Sequence, residues 1–423
     1  MTYEVAATKI SVTLVVLAII LIFRLARGKL KMENICWPIS LLIMFILILA
    51  EANIVSPVSA QASDPPIQIH LTWSQNDTAH TIVITWKTSN ENAGDEVLYD
   101  ITPVGGSPSL YGSSATGRHH TYSGAGGYVH DVELTGLSPN TIYYFICGGE
   151  NGGWSEERAF RTAPDQRESF RFVAGGDSRS GGNWPGPRDS ISREMAKFNP
   201  SFILFTGDFV MQGNYQWEWD NWFAAAQEYW VDNNLTIPII PCIGNHELSG
   251  DPSGVAYYEQ FYLPSEEQWY SLDWGPDLHI IVLNSEVSIT GEQLNWLRSD
   301  LAEHENYIWK VAIFHKPAFS GGSEHGSNLG IQRDWVPLFD NYHVDLVISG
   351  HDHDYERTYP INYAISENTP MQSPENGTVY IVSGGWGAPL YSGTPGWWTA
   401  YGPEGKYNFV VVDIFDNGTL HLQ

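Results

Sequence analysis

The stretch SGHDHDYER, residues 349–357, follows an apolar run at 344–348 and sets His351 and His353 on either side of Asp352. Side chains two apart in an extended segment point to the same side, so the pair offers two imidazoles in one direction. Imidazole binds metals and carries protons near neutral pH. Four other apolar runs in this half of the chain also end on a ligand-type residue: Asp177, Asp208, Asn245 and His315. Glycine precedes four of the five endings, at Gly176, Gly207, Gly244 and Gly350, where it lets the backbone turn sharply and approach a ligand closely.

Each ending alone has a plain structural reading. An aspartate after a strand is a common turn former or helix N-cap, GNHE is a capped turn, and a lone strand-end histidine is commonly a satisfied core or surface residue. Five in one domain point elsewhere, because in open α/β sheets ligands gather at the carboxyl ends of strands and bring distant residues to one spot. Oxygen and imidazole donors without thiolate suit a hard-to-borderline cation such as zinc, manganese, iron or magnesium. Six protein donors are too many for one open catalytic ion and suit two, the clamp used in phosphoester hydrolysis.

The elements that must position these residues are legible as a change of rhythm. From 67 to about 162 the chain runs in short alternating segments such as TIVITWKT and TIYYFICG, separated by Gly, Ser, Pro and Asn; this predicts an antiparallel β-sandwich. LSPNTIYYF resembles a fibronectin type III strand entry, a likeness of fold and not of chemistry. A polar linker follows at 161–169. Thereafter near-continuous apolar runs (FRFVAGGD, FILFTGD, LHIIVLNSE, WKVAIFH, VDLVISGH) alternate with helical spacing at 216–230 and 292–305, which predicts strands buried on both faces in an α/β domain. The aromatic cluster 215–223 reads as helix core, His119 and His120 as a solvated turn, and GGWGAPLY at 384–391 as a border of the pocket.

Residues 1–62 differ in kind. Two uncharged runs, 10–23 and 35–50, flank a basic segment, and Ala60-Gln61-Ala62 follows the second. Both runs fall short of the roughly 20 residues of a membrane span, so the segment reads as a signal peptide, with an uncleaved membrane anchor as the alternative. This gives three expected units: a leader at 1–62, a sandwich at 63–163 and an α/β domain at 164–423. It also puts the folded part outside the cytoplasm, secreted or anchored at the cell surface. The whole chain carries a formal charge of −27 and residues 63–423 carry −29, which excludes nucleic acid as a partner. Cys147 and Cys242 fall in different expected domains, so no disulfide framework is expected.

GGDSR, FTGDFVMQG, GNHE, AIFHKP and SGHDHDYER, in this order, resemble the calcineurin-like metallophosphoesterases, and with the sandwich before them residues 63–423 resemble a purple acid phosphatase. The resemblance implies a four-layer α/β/β/α domain and two divalent metal ions (iron, zinc or manganese). It implies Asp177, Asp208 and His353 around the first ion and Asp208, Asn245, His315 and His351 around the second. It places His246 and His325 in the substrate pocket, for phosphate stabilisation and general acid work. Two departures stand out. The family's tyrosine, whose phenolate binds ferric iron and gives the colour, is Met211 here. Many relatives carry histidine where this chain has Arg179, which cannot ligate and either grips a phosphate oxygen or forms a surface salt bridge. The expected activity is acid phosphatase-like hydrolysis of small phosphomonoesters by a metal-bound hydroxide. The alternatives are a phosphodiesterase or nucleotidase and a catalytically weak surface scaffold.

Overall fold

The computed structural model describes residues 63–179, 186–229, 231–232, 235–264, 268–362 and 371–423. The leader at 1–62 lies outside the described residues. The N-terminal sandwich is built from β1 (Ile67–Thr72), β2 (Ile82–Thr88), β3 (Glu96–Asp100), β4 (Ser113–Thr116), β5 (Arg118–His120), β6 (Tyr128–Leu134), β7 (Ile142–Gly149), β8 (Gly153–Trp154) and β9 (Arg158–Arg161). One sheet has the order β1-β2-β6-β5; the other places β9, β7, β3 and β4 side by side, with β8 on β7. Alternation writes this layout: Ile82, Ile84 and Trp86 of β2 meet Val132 and Leu134 of β6 in the core between the sheets. His119 and His120, expected as a solvated turn, instead lie on the edge strand β5, paired antiparallel with β6. Their polar, Gly/Ser-rich flanks hide a strand whose partner is distant in sequence. Cys147 in β7 is buried and makes no disulfide.

The remaining strands are β10 (Phe170–Gly175), β11 (Ile203–Phe205), β12 (Val231–Asp232), β13 (Leu235–Thr236), β14 (Ile239–Pro241), β15 (Tyr270–Trp274), β16 (Leu278–Val282), β17 (Trp309–Ile313), β18 (Leu346–Ser349), β19 (Tyr355–Thr358), β20 (Ile361–Asn362), β21 (Met371–Gln372), β22 (Val379–Ser383), β23 (Thr399–Glu404), β24 (Val410–Ile414) and β25 (Leu420–Leu422). They form two larger sheets, β14-β11-β10-β24-β25 and β15-β16-β17-β18-β22-β19-β23. Cys242, directly after β14, is also buried and unbridged. The short pair β12–β13 joins the second sandwich sheet instead, β13 running parallel to β9.

Side-chain alternation divides the seven-stranded sheet between two cores. Ile280, Val311, Ile313, Leu346 and Ile348 face the five-stranded sheet. Their neighbours Ile281, Ala312, Phe314 and Val347 face the helices α4 (Glu292–Glu303), α5 (Leu329–Asp334) and α6 (Val336–Asn341), through Leu297, Leu301, Ile331 and Phe339. On the far side, α1 (Pro187–Ala196) and α2 (Gln216–Tyr229) cover the five-stranded sheet with Met195, Trp219, Trp222 and Phe223. The result is the α/β/β/α layering. Burying each such aliphatic or aromatic side chain contributes about 1.5–3 kcal/mol, and truncating Ile313 to alanine removes about 2–5 kcal/mol. The helix α3 (Val255–Tyr258) is a single turn.

Polar contacts lock the sandwich to the α/β part. Gln68 and Lys87 both reach Asp220 of α2, at 2.7 and 2.8 Å. Asn76 donates to Asp273 Oδ2 at 2.8 Å, and Thr78 donates to the Asp273 carbonyl. Asp273 is in turn held by buried His279, whose Nδ1 lies 2.7 Å from Asp273 Oδ1 and whose Nε2 lies 2.9 Å from Asp300 Oδ2.

Candidate metal centre

Strand direction decides where the polar endings go. β10, β11 and β14 are mutually parallel, as are β16, β17, β18 and β22. The carboxyl ends of the two sheets meet, so Asp177, Asp208 and Asn245 arrive from one sheet and His315, His351 and His353 from the other. The backbone there is strained: Asp177, Asp208 and His351 have φ of 60°, 60° and 73°. Such left-handed non-glycine positions cost of order 1–3 kcal/mol each and cluster at functional sites. Close approach explains two of the glycines. A Cβ at Gly207, whose φ is +93°, would lie 2.8 Å from His315 Nδ1, and one at Gly244 would lie 2.3 Å from Asp208 Oδ1.

One group of donors centres on His315. Its Nε2 stands 3.0 Å from Asn245 Oδ1, 3.2 Å from His351 Nδ1 and 3.3 Å from Asp208 Oδ1. Donors held about 2.0–2.1 Å from a tetrahedral cation stand roughly 3.3 Å apart, and the three distances from His315 Nε2 are of that size. His315 Nδ1 donates to the Thr206 carbonyl at 2.9 Å, which turns Nε2 to the shared point. Burial opposes charge on both His315 and Asp208, but their mutual approach prevails. His315 is pushed up to about 10 and the Asp208 carboxyl is held well below the usual carboxylate range. Burial together with His315 and His325 pushes His351 down to about 2. The group thus draws one positive charge to its middle, and a divalent cation satisfies the same demand.

The second group comprises Asp177, Asp208 and His353, whose ligating atoms all lie within 4.8 Å of one another. Asp177 is fully buried; its Oδ2 accepts from the His351 amide at 2.8 Å, while Oδ1 has no hydrogen-bond partner. A bare buried carboxylate oxygen costs several kcal/mol unless something meets it, and a cation does. His353 Nδ1 donates to the Pro389 carbonyl at 2.6 Å, leaving Nε2 facing Asp177 Oδ1 at 3.4 Å. Asp208 lies between the groups, Oδ1 toward His315 and Oδ2 toward Arg179. The donor set fits a pair of divalent cations.

Arg179 is not on the surface: the salt bridge it makes is a buried one, to Asp208, and not the expected surface pair. It is 8% exposed, with Nη2 3.0 Å from His353 Nε2, Nε 3.4 Å from Asp208 Oδ2 and Nη1 3.3 Å from Met211 Sδ. The guanidinium therefore engages the faces of His353 and Asp208 that a cation in this group would use. His246 sits at the mouth, its amide donating to Asp208 Oδ1 at 3.0 Å and its Nδ1 to the Met211 carbonyl at 2.8 Å. That leaves Nε2 3.8 Å from Asp208 Oδ2. His325 is exposed and stacks on His351 with ring centroids 3.9 Å apart.

The structure adds residues that sequence reasoning passed over. Buried Glu247, the last letter of GNHE, accepts the amides of Asp208, Phe209 and Gly244, each at 2.8 Å, and so shapes the loop carrying Asp208. Asp352, between the two histidines, accepts the amides of His325 and Gly326 at 3.2 and 2.9 Å and anchors the His325 loop. Tyr391 stacks on His353 at 4.2 Å. Acidic residues next to ligands were the available signal for the first two. The GGWGAPLY segment does border the site, through the Pro389 carbonyl and an amide of Ala388 that donates to the Asp177 carbonyl at 2.9 Å.

Comparison with known proteins identifies the family. The family described as the purple acid phosphatase N-terminal domain matches residues 66–162, and that of the calcineurin-like phosphoesterases matches residues 170–355. Purple acid phosphatase 23 of Arabidopsis thaliana is 28% identical over 288 residues, 58% of this chain and 61% of that protein. Acid phosphatase type 7 of Mus musculus is 26% identical over 415 residues, 85% and 87% of the two chains. The purple acid phosphatase PPD1 from yellow lupin (Lupinus luteus) seeds shares the fold, with a TM-score of 0.71 at 22% identity over 85% of this chain and 72% of that one. The chain belongs to the purple acid phosphatase-like calcineurin-type metallophosphoesterases, and is a metal-dependent phosphoester hydrolase.

Proposed function

We propose that the protein is an extracytoplasmic phosphomonoesterase with two divalent cations, acting on small organic phosphates. The observation that carries the reading is the position of Asp208 between two donor groups, one gathered around His315 Nε2 and the other holding the unpartnered Asp177 Oδ1. Asp177, Asp208 and His353 would hold one cation and Asp208, Asn245, His315 and His351 the other. When bound, such a pair would supply Lewis acidity toward a phosphoryl oxygen and a source of nucleophilic hydroxide near neutral pH.

The chain's own residues do the rest. The carbonyls of Thr206 and Pro389 hold His315 and His353 in the tautomer that presents Nε2. His246, fixed through Nδ1, turns Nε2 toward the site and steadies a phosphoryl oxygen there. His325, on the exposed rim against His351, gives a proton to the leaving oxygen. Arg179, released from His353 and Asp208 when a cation takes them up, is free to grip phosphate. The leader at 1–62 and the acidic surface support a location outside the cytoplasm, secreted or membrane-anchored.

Assays with p-nitrophenyl phosphate and bis-p-nitrophenyl phosphate on metal-loaded protein test this reading. It expects turnover of the monoester well above the diester. Preference for the diester assigns a phosphodiesterase, and no turnover of either with both cations bound refutes hydrolysis at this centre.

A further inference from the structure

The segment between β11 and α2 carries a feature that phosphoryl chemistry leaves unused. Within residues 211–217 three large apolar side chains face solvent: Met211 is 36% exposed, Tyr215 45% and Trp217 51%. One exposed aromatic is ordinary on a soluble protein, whereas a group of them in one loop marks a surface that meets something. The rings of Tyr215 and Trp217 stack on each other, with centroids 6.3 Å and planes 27° apart. The expectation of helix core holds only for the second half of this aromatic cluster, where Trp219, Trp222 and Phe223 are buried.

The loop is pinned on both sides and built against the metal centre. Trp219 Nε1 donates to the Gly213 carbonyl at 2.9 Å, and the Gly213 amide donates to the His246 carbonyl at 3.0 Å. Glu218, next to Trp217, turns its carboxylate back to accept the amides of Met211 and Gln212, which folds the first turn of α2 onto the loop. Met211 is the joint. Its carbonyl accepts from His246 Nδ1 at 2.8 Å, and its Sδ lies 3.3 Å from Arg179 Nη1. The apolar side chains therefore start at the two residues assigned to phosphate and continue away from them into solvent.

We propose that Met211, Tyr215 and Trp217 receive the leaving group, and that the preferred substrates are aryl phosphates. The proposal rests on the phosphomonoesterase reading above. With the phosphoryl group held by Arg179 and His246, the substituent on the ester oxygen is the part of the substrate left to make further contacts. Beside Met211 it meets a thioether, which is polarisable and adapts to the face of a ring. Beyond Met211 stands the stacked pair, where another ring gains more than its buried area alone provides. A short polyol offers this surface neither a face nor apolar area.

The test is calorimetric titration of phenylphosphonate and methylphosphonate, two non-hydrolysable mimics that differ only in the group at issue. The protein is the metal-loaded full chain, as wild type and with Tyr215→Ser and Trp217→Ser combined. Both substituted side chains are exposed, so the donor groups keep their geometry. The proposal expects wild type to bind phenylphosphonate about tenfold more tightly than methylphosphonate. In the double variant most of that preference is lost while the affinity for methylphosphonate holds. Equal affinities in wild type, no binding of phenylphosphonate, or a preference that survives the double substitution overturns it. Turnover of p-nitrophenyl phosphate by the same preparation keeps the two readings apart: with turnover, any of these results leaves the phosphomonoesterase reading standing, and without it both fall.

Discussion

Arg179 stands inside the Asp177–Asp208–His353 group, and removing it gives the sharpest local prediction. A cation entering the Asp177–Asp208–His353 group must displace the bond from Arg179 Nη2 to His353 Nε2, 3.0 Å long. A hydrogen bond involving a charged group is worth about 1.5–3 kcal/mol. The Nε approach to Asp208 Oδ2, at 3.4 Å, is long and adds less. At about 1.4 kcal/mol per factor of ten, Arg179→Ala tightens divalent binding at this group about 10- to 100-fold. The His315 group, which Arg179 touches only through shared Asp208, changes by no more than a few-fold. Calorimetric titration of zinc into metal-free protein measures this. Wild type binds in two separated steps, and the variant's weaker step moves toward the stronger one. An unchanged weaker step, or weakening of both, refutes the competition.

Other outcomes follow from the same contacts. Asp208→Ala and His315→Ala each abolish phosphatase turnover and reduce bound metal, because each removes a donor from a group with none to spare; elemental analysis beside the p-nitrophenyl phosphate assay checks both. Metal-loaded wild type shows no visible charge-transfer band, whereas Met211→Tyr with ferric iron gains one, since residue 211 already lies against Arg179 beside the Asp177–Asp208–His353 group; absorption spectra decide it. His279 is driven down by burial but driven up further by Asp273 and Asp300, so its folded pKa is raised. Its ion-pair contribution is therefore complete below the unfolded value of about 6.5 and is lost as pH rises through the folded value. His279→Gln should cost about 2–3 kcal/mol in acid and less in alkali, read from urea unfolding at both ends of the range.

Much of the candidate site was legible because each proposed donor follows an apolar run within a few residues. A buried parallel strand writes itself as such a run, and topology sends its carboxyl end to the common face. Helices α2 and α4 were legible for a similar reason, their apolar spacing being local; the cluster at 215–223 does bury Trp219, Trp222 and Phe223, while Tyr215 and Trp217 stay exposed. What escaped depends on partners far away in sequence. β5 is three polar residues whose strand character comes from β6. The β12–β13 pair joins a sheet whose other strands lie about 70 residues and more upstream. Arg179 reads as a solvent-seeking residue until His353, 174 positions on, is seen to accept from it. Glu247 and Asp352 act through backbone amides, so their place beside the donor residues was the only mark they left in the sequence.

The central claim is that six side chains seat two cations with Asp208 between them. An anomalous difference map collected at the zinc edge from zinc-loaded crystals tests it most directly. The account predicts two peaks about 3.5–4 Å apart, one flanked by Asp177 and His353 and the other by Asn245, His315 and His351. A single peak, or two that do not share Asp208, would contradict it.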